Sequence, residues 1–319
     1  MGVAAIAAGG GLDEAFRHEA LFYSGEREFV RRMSSFIRQG LAVGEPVLVL
    51  VIAPKIELLR AELGRDSDRV MFGDMSEIGR NPGRIIPVWS EFVAGYANGG
   101  GRVRGVGEPT WATRNAEELV EWQRHEALIN LAFTGAPAWV LCPYDVETLD
   151  PAVIDEAFRS HPIVSSGETG GTSPNYAGLG AIDRPFADPL HEPDGASEPM
   201  TIEIGSLSQM RGLVADRAAD FGLPPMRVED LVLAVNEVAT NSLRHGAGEV
   251  SLRHWSQGGD LIFEVADGGR ISGPLVGRQR PSIGGTSGYG LWMANQLCDL
   301  VQLRSFATGS VVRLRMRRR

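Results

Sequence analysis

The chain has 319 residues, 43% hydrophobic and 22% charged, with a formal net charge of −9. This leaves room for two domains with a core each and argues against broad nucleic-acid binding. Lys55 is the only lysine, leaving 30 arginines among 31 basic residues, which argues against a Walker-A loop, a kinase-type strand lysine and lysine Schiff-base chemistry.

In chain order, Glu26 to Leu41 places Phe29, Met33, Phe36 and Ile37 at helical spacing. Pro46 to Ala53 is the longest apolar run, suited to a strand buried on both faces and far short of a membrane span. A helix over Ile56 to Leu63, a strand at Val70 to Phe72, a helix near Val88 to Ala97 and a strand at Arg102 to Val106 are expected next. A helix over Glu117 to Phe133 and a buried strand at Ala138 to Cys142 follow. This alternation predicts an α/β domain with a mostly parallel, doubly covered sheet. From Ser165 to about Pro199, Gly, Pro and acidic residues dominate without an apolar period, which reads as a flexible linker (165–199) between domains at 13–164 and 200–319.

Beyond the linker, a strand at Met200 to Ile204 precedes helices over Leu207–Phe221 and Met226–Arg244. Strands at Glu249–Trp255 and Leu261–Ala266, a Gly-rich stretch, a helix at Gly290–Leu297 and two last strands complete the chain. The closing Val312-Arg-Leu-Arg-Met-Arg alternation predicts apolar side chains inward and arginines outward. Helices on one face of an antiparallel sheet make an α+β layer. The amino terminus has no basic n-region, and Cys142 and Cys298 stand apart without CxxC or metal-ligand spacing, so a cytoplasmic chain is expected.

Four segments of the second half carry chemistry together. Glu237 and Asn241 lie at i and i+4 on one helix, where Leu231, Val235, Val238 and Ser242 can face the core. A carboxylate beside a carboxamide can take a proton and hold a hard cation. A strand ends in Asp267-Gly-Gly269. Gly284-Gly-Thr-Ser-Gly288-Tyr-Gly290-Leu291 opens a helix whose free N–H groups suit phosphate, and Thr308-Gly-Ser310 interrupts the last hairpin. By order and spacing, residues 200–319 resemble the anti-sigma-factor serine kinases of the GHKL ATPase (Bergerat-fold) superfamily. The resemblance implies an α+β sandwich that binds ATP with Mg²⁺ on Asn241, with Glu237 as catalytic base toward a protein hydroxyl. It further implies that Asp267 accepts from the adenine amino group, with Ser310 nearby, and that Gly269, Gly288, Gly290 and Leu291 border the nucleotide. Arg270 to Ser287 would form the lid. Ile271 departs from the family's last glycine of that box, and Ser242 stands where alanine commonly follows the asparagine. His245 is expected to cap or pack rather than touch phosphate.

Residues 16–164 resemble the MEDS sensory domain, itself similar to RecA/KaiC-like folds, through His18-Glu-Ala-Leu-Phe-Tyr23, Gly44-Glu-Pro-Val-Leu48, Gly107-Glu-Pro-Thr-Trp111, Cys142-Pro-Tyr-Asp145 and His161-Pro162. The segment Tyr23 to Phe29 offers no phosphate loop, so ligand sensing or partner contact is expected here rather than ATP hydrolysis. His18, Glu108, Trp111, His125, Glu126, Cys142, Tyr144, Asp145 and His161 are candidate pocket residues at strand carboxyl ends. Cys142 with the three histidines has metal-ligand chemistry, but no ligand spacing supports a centre, and Lys55 is expected to be a bystander.

Together these readings imply an ATP- and Mg²⁺-dependent anti-sigma serine/threonine kinase under a sensory domain. Its partners would be an anti-anti-sigma (STAS) protein and/or a sigma factor, with a small-molecule ligand in the first domain and no contact with nucleic acid or membrane. Homodimerisation is implied by the family alone. The alternatives are a non-catalytic, ATP-gated binding module and a sensor histidine kinase-like relative, the latter disfavoured because no acceptor-histidine helix pair precedes the ATPase half.

Overall fold

The structure, a computed structural model, describes residues 15–96, 101–108, 114–167, 169–178, 180–182, 188–281 and 288–318. Two sheets organise it. The first has seven strands in the order β3-β2-β4-β5-β1-β6-β7. These are β1 (Phe16–Tyr23), β2 (Val47–Val51), β3 (Val70–Asp74), β4 (Val103–Gly107), β5 (Ala138–Asp145), β6 (Ile163–Ser166) and β7 (Thr169–Thr172). All neighbours pair in parallel except β6 and β7.

Helices cover both faces, as a parallel sheet requires. On one side lie α1 (Gly25–Ala42) and α2 (Ala53–Leu63), packed with Leu21, Tyr23, Val49 and Leu141. The single turn α3 (Met75–Ile78), α4 (Ile85–Tyr96), α5 (Ala116–Ala132) and α6 (Pro151–Ser160) contribute to the other side, against Phe16, Ala20, Val140 and Cys142. Chain chemistry sets the helix starts. Asn115 and Glu118 form a reciprocal capping box for α5, and Asp150 caps α6 ahead of Pro151.

The central strand β1 is not among the expected elements, because Arg17, His18 and Glu19 break its apolar run. The sheet also runs past the expected boundary at residue 164. Ser165 and Ser166 belong to β6, and Thr169–Thr172 forms its antiparallel partner, so the compositional linker begins inside the first sheet.

The second sheet is antiparallel, in the order β11-β12-β10-β9-β8. Its strands are β8 (Met200–Ile202), β9 (Val250–Gln257), β10 (Asp260–Asp267), β11 (Leu300–Phe306) and β12 (Gly309–Arg317). Helices α7 (Leu207–Phe221), α8 (Pro225–His245) and α9 (Tyr289–Leu297) pack with Val312, Leu314 and Met316 from one face. The combination is an antiparallel sheet layered with helices beside a mostly parallel sheet covered by helices on both faces.

Except for Arg317 at the strand's end, the arginines of the opposite face do not point to solvent. Arg304, Arg313 and Arg315 are each at most 3% exposed: α5 of the first domain meets Arg304 and Arg315, and Arg313 pairs within the sheet and lies over the Trp255 ring. Arg304 donates to Glu121 at 2.8 Å, and Arg315 pairs with Glu117. Within the sheet, Glu264 is flanked by Arg253 and Arg313 across the register. Arg124 donates to the Leu303 carbonyl at 3.1 Å, and Arg278 to Glu121 at 3.2 Å.

A second junction lies at the carboxyl end of α9. Arg84 donates to the carbonyls of Asn295 (2.9 Å) and Cys298 (2.8 Å), and Asn81 to that of Asn295 (3.0 Å). A cation at a helix carboxyl end satisfies unpaired carbonyls and the helix dipole together. Among the described residues no helix is long and apolar enough to cross a membrane.

Candidate functional site

Helix α8 buries Leu231, Ala234, Val235, Val238 and Ala239 and turns its last two turns toward a cleft of about 230 Å³. Asn241, Ser242, His245 and Gly246 line it from α8. Asp267, Gly269, Arg270 and Ile271 line it from the end of β10, and Gly288 and Leu291 from the start of α9.

Asp267 is held from two sides. The Ser242 hydroxyl donates to its Oδ2 at 2.6 Å, and the Gly269 amide to its Oδ1 at 2.6 Å. Both bonds aim the carboxylate, leaving lone pairs for a further donor. Ser310 donates to the Gly269 carbonyl at 2.8 Å and shares a 2.9 Å contact with the Ser305 hydroxyl, so it supports the glycine turn from behind.

The glycines are required by close approach. A Cβ at Gly290 would stand 2.2 Å from Asn241 Nδ2, and one at Gly269 would stand 2.6 Å from Gly246 Cα. Gly288 caps α9 at φ 94°, a left-handed conformation that glycine adopts without strain. The amino end of α9 thereby brings unpaired N–H groups toward the cleft.

Several expectations change in detail. Ser242 turns to Asp267 instead of the core, since its position on α8 is the one nearest the carboxylate. His245 is exposed and lines the cleft. Glu237 lies one turn before Asn241 on α8 and is half-buried, outside the cleft lining. Ser242, Gly246 and Val276 line the cleft without having been chosen from sequence. Ser242 alone had a signal, being a hydroxyl next to the asparagine. Residues 282–287 of the expected lid lie outside the described residues. In the described part, Arg278 is buried against Glu121, and Ile271 donates its amide to the Ser305 hydroxyl at 2.9 Å.

The candidate pocket residues of the first domain divide into two groups. Glu108 and Asp145 stand at strand carboxyl ends, where Lys55 pairs with Glu108 and donates to the Tyr23 hydroxyl at 2.8 Å. Lys55 is therefore no bystander: it neutralises a buried carboxylate that burial itself pushes toward protonation. His18, Glu126, Cys142 and His161 instead converge beneath α5 and α6, because even-numbered positions of β1 and β5 face those helices. Tyr144 stacks edge-on against His161 at 5.6 Å. His125 is buried next to Trp122 at 5.3 Å, and burial pushes it down to about 3. Trp111 lies outside the described residues.

Residues 17–162 match the family described as the methanogen/methylotroph, DcmR sensory domain, MEDS. Residues 200–316 match the family described as the histidine kinase-like ATPase domain. A crystal structure of the RsbU and RsbW domains of Rv1364c from Mycobacterium tuberculosis is 20% identical, covering 38% of this chain and 32% of that one, with a TM-score of 0.29. The Acinetobacter baumannii histidine kinase AdeS is 12% identical, covering 38% of this chain and 67% of its own, with a TM-score of 0.22. No curated protein matches the chain.

Proposed function

We propose that this chain, which joins a MEDS sensory domain (17–162) to a histidine kinase-like ATPase domain (200–316), is a cytoplasmic anti-sigma regulatory factor. In this reading it phosphorylates a serine or threonine of an anti-anti-sigma (STAS) protein, sequesters a sigma factor, or does both, under control of the first domain. The observation that carries the reading is the convergence of Asn241, Asp267, Gly269, Gly288 and Leu291 on one cleft, with Glu237 one helical turn from Asn241.

The residues fit a nucleotide. The Asp267 carboxylate is fixed as an acceptor for an amino group, and the α9 amino end and the glycine cradle suit phosphates. Asn241 offers a hard oxygen for Mg²⁺, which when bound neutralises phosphate charge. Glu237 takes the proton of the acceptor hydroxyl as its oxygen bonds to the γ-phosphorus and ADP leaves. No lysine is needed for any of these tasks.

Transfer from γ-labelled ATP to candidate STAS proteins tests the reading. Wild type gives acid-stable phosphoserine or phosphothreonine, and Glu237→Gln binds ATP but transfers no label. A Glu237→Gln variant as active as wild type, or acid-labile phosphohistidine, sinks it. ATP binding without transfer to any partner favours an ATP-gated binding module.

A further inference from the structure

Four electron-pair donors meet inside the first domain. His18 Nε2 lies 3.4 Å from both Cys142 Sγ and Glu126 Oε2, and His161 Nε2 lies 3.2 Å from the same Glu126 oxygen. All four ligand atoms fall within 4.8 Å of one another, and every residue is buried. They come from four elements: β1, α5, β5 and the residue that ends α6.

The outer contacts fix which ring nitrogens carry protons. His161 Nδ1 faces the Ala157 carbonyl at 2.9 Å, an acceptor only, so Nδ1 is the donor. His18 Nδ1 faces Asn130 Oδ1 at 3.1 Å, and the Asn130 amide nitrogen donates to the Ser160 carbonyl at 2.7 Å, which orients that side chain. Each imidazole therefore directs its Nε2 lone pair inward, the arrangement in which an outer hydrogen bond orients a metal-binding histidine. His161 Nε2 and Glu126 Oε2 are buried and make no hydrogen bond to any protein atom. Lone pairs at 3.2 Å in a dry interior repel unless a proton or a metal cation lies between them.

The spacing supplies the rest. Bonds of about 2.0–2.2 Å to nitrogen and oxygen and about 2.3 Å to sulfur give tetrahedral edges of about 3.3–3.7 Å; the contacts of 3.4, 3.4 and 3.2 Å lie near these, and the remaining pairs reach at most 4.8 Å. A thiolate and a carboxylate together balance a divalent charge, which a buried site requires. The sequence contains no short ligand repeat because the four donors are gathered by sheet topology, from positions up to 143 residues apart in the chain.

We propose that the MEDS domain of this chain holds one tetrahedral divalent ion, Zn²⁺ by its Cys/His/His/Glu donor set, on His18, Glu126, Cys142 and His161. Four protein ligands close the coordination sphere, the pattern of a structural or sensing centre and not of a hydrolytic one. This inference is independent of the phosphotransfer reading.

The full chain, stripped with a chelator and reloaded with Zn²⁺ or Co²⁺, tests it. Expected are one equivalent of Zn²⁺ per chain and, with Co²⁺, a thiolate-to-metal charge-transfer band with intense tetrahedral visible bands. Cys142→Ser removes the charge-transfer band while Cys298→Ser keeps it. Asn130→Ala, which touches no metal, weakens Zn²⁺ binding by about 10–100-fold through His18, and His191→Ala changes nothing. A folded wild-type chain that takes up neither metal, or uptake that survives both Cys142→Ser and His161→Ala, overturns the proposal. Should the ligand variants fail to fold, a wild-type Co²⁺ spectrum lacking the thiolate band overturns it alone.

Discussion

Arg278 donates to Glu121 at 3.2 Å across the junction of the two domains, so the segment that borders the α8–β10 cleft is fastened to helix α5. Glu121 is fully buried and also receives Arg304. One carboxylate thus serves two guanidiniums from the second domain.

Replacing Glu121 by Gln removes the negative charge and keeps the shape. Breaking a buried ion pair from one side costs about 3–5 kcal/mol, so the urea midpoint is expected to fall markedly. The same variant exposes the 270–281 segment to limited proteolysis at a protease concentration that leaves wild type intact.

The glycine at position 290 is tested by alanine. Its Cβ would stand 2.2 Å from Asn241 Nδ2, and relief of such overpacking costs about 1–3 kcal/mol. Calorimetric titration should show Mg-ATP affinity reduced about tenfold, with far-ultraviolet circular dichroism unchanged.

Ser242→Ala deletes one of the two donors that aim Asp267. Hydrogen bonds to a charged group contribute about 1.5–3 kcal/mol. Expected is a loss of ATP affinity of about tenfold or more, together with weakened preference for adenine over guanine nucleotides.

The thiol of Cys298 gives a pH prediction. Burial, then Asp299, pushes it up to about 12, against the opposing pull of Arg227 and Arg84. The folded chain keeps a proton that the unfolded chain loses near the ordinary thiol value, so this contribution is complete below about pH 9 and is lost as pH climbs toward about 12. Denaturation midpoints measured across that window should fall, and Cys298→Ala should flatten the fall. Native protein should also resist thiol reagents at pH 8 on this residue, because the thiolate is the reactive form.

Much of the fold is legible in periodicity. The buried run of β2, the helical spacing of α1 and the helices α7 and α8 come out within a few residues, since each presents one apolar face or a continuous apolar run. Strand β1 does not, because a central strand that carries His18 and Glu19 for side-chain chemistry loses the apolar signal of a buried strand. The outward reading of Arg313 and Arg315 fails for a related reason. Period-two alternation identifies two faces but not what covers the second: a helix from the other domain supplies Glu117 to Arg315, and Arg313 pairs within its own sheet with Glu264.

The cleft gathers Asn241, Asp267, Gly269 and Gly288, whose motif spacing is visible in the sequence, whereas the Ser242–Asp267 contact depends on how α8 docks against β10. The histidine–cysteine–glutamate cluster is illegible as spacing, because its members are brought together only by the order β5-β1-β6 and the crossing of α5 above it.

Glu121 and Glu126 sit five residues apart on α5, about 7.5 Å along its axis. One faces the nucleotide segment through Arg278, and the other faces His18 and His161. A continuous helix cannot move one without the other, so the two sites share a mechanical element. Binding equilibria that share an element obey reciprocity. On the proposed reading, whatever factor an occupant beneath α5 imposes on nucleotide affinity, the nucleotide would impose in return on that occupant.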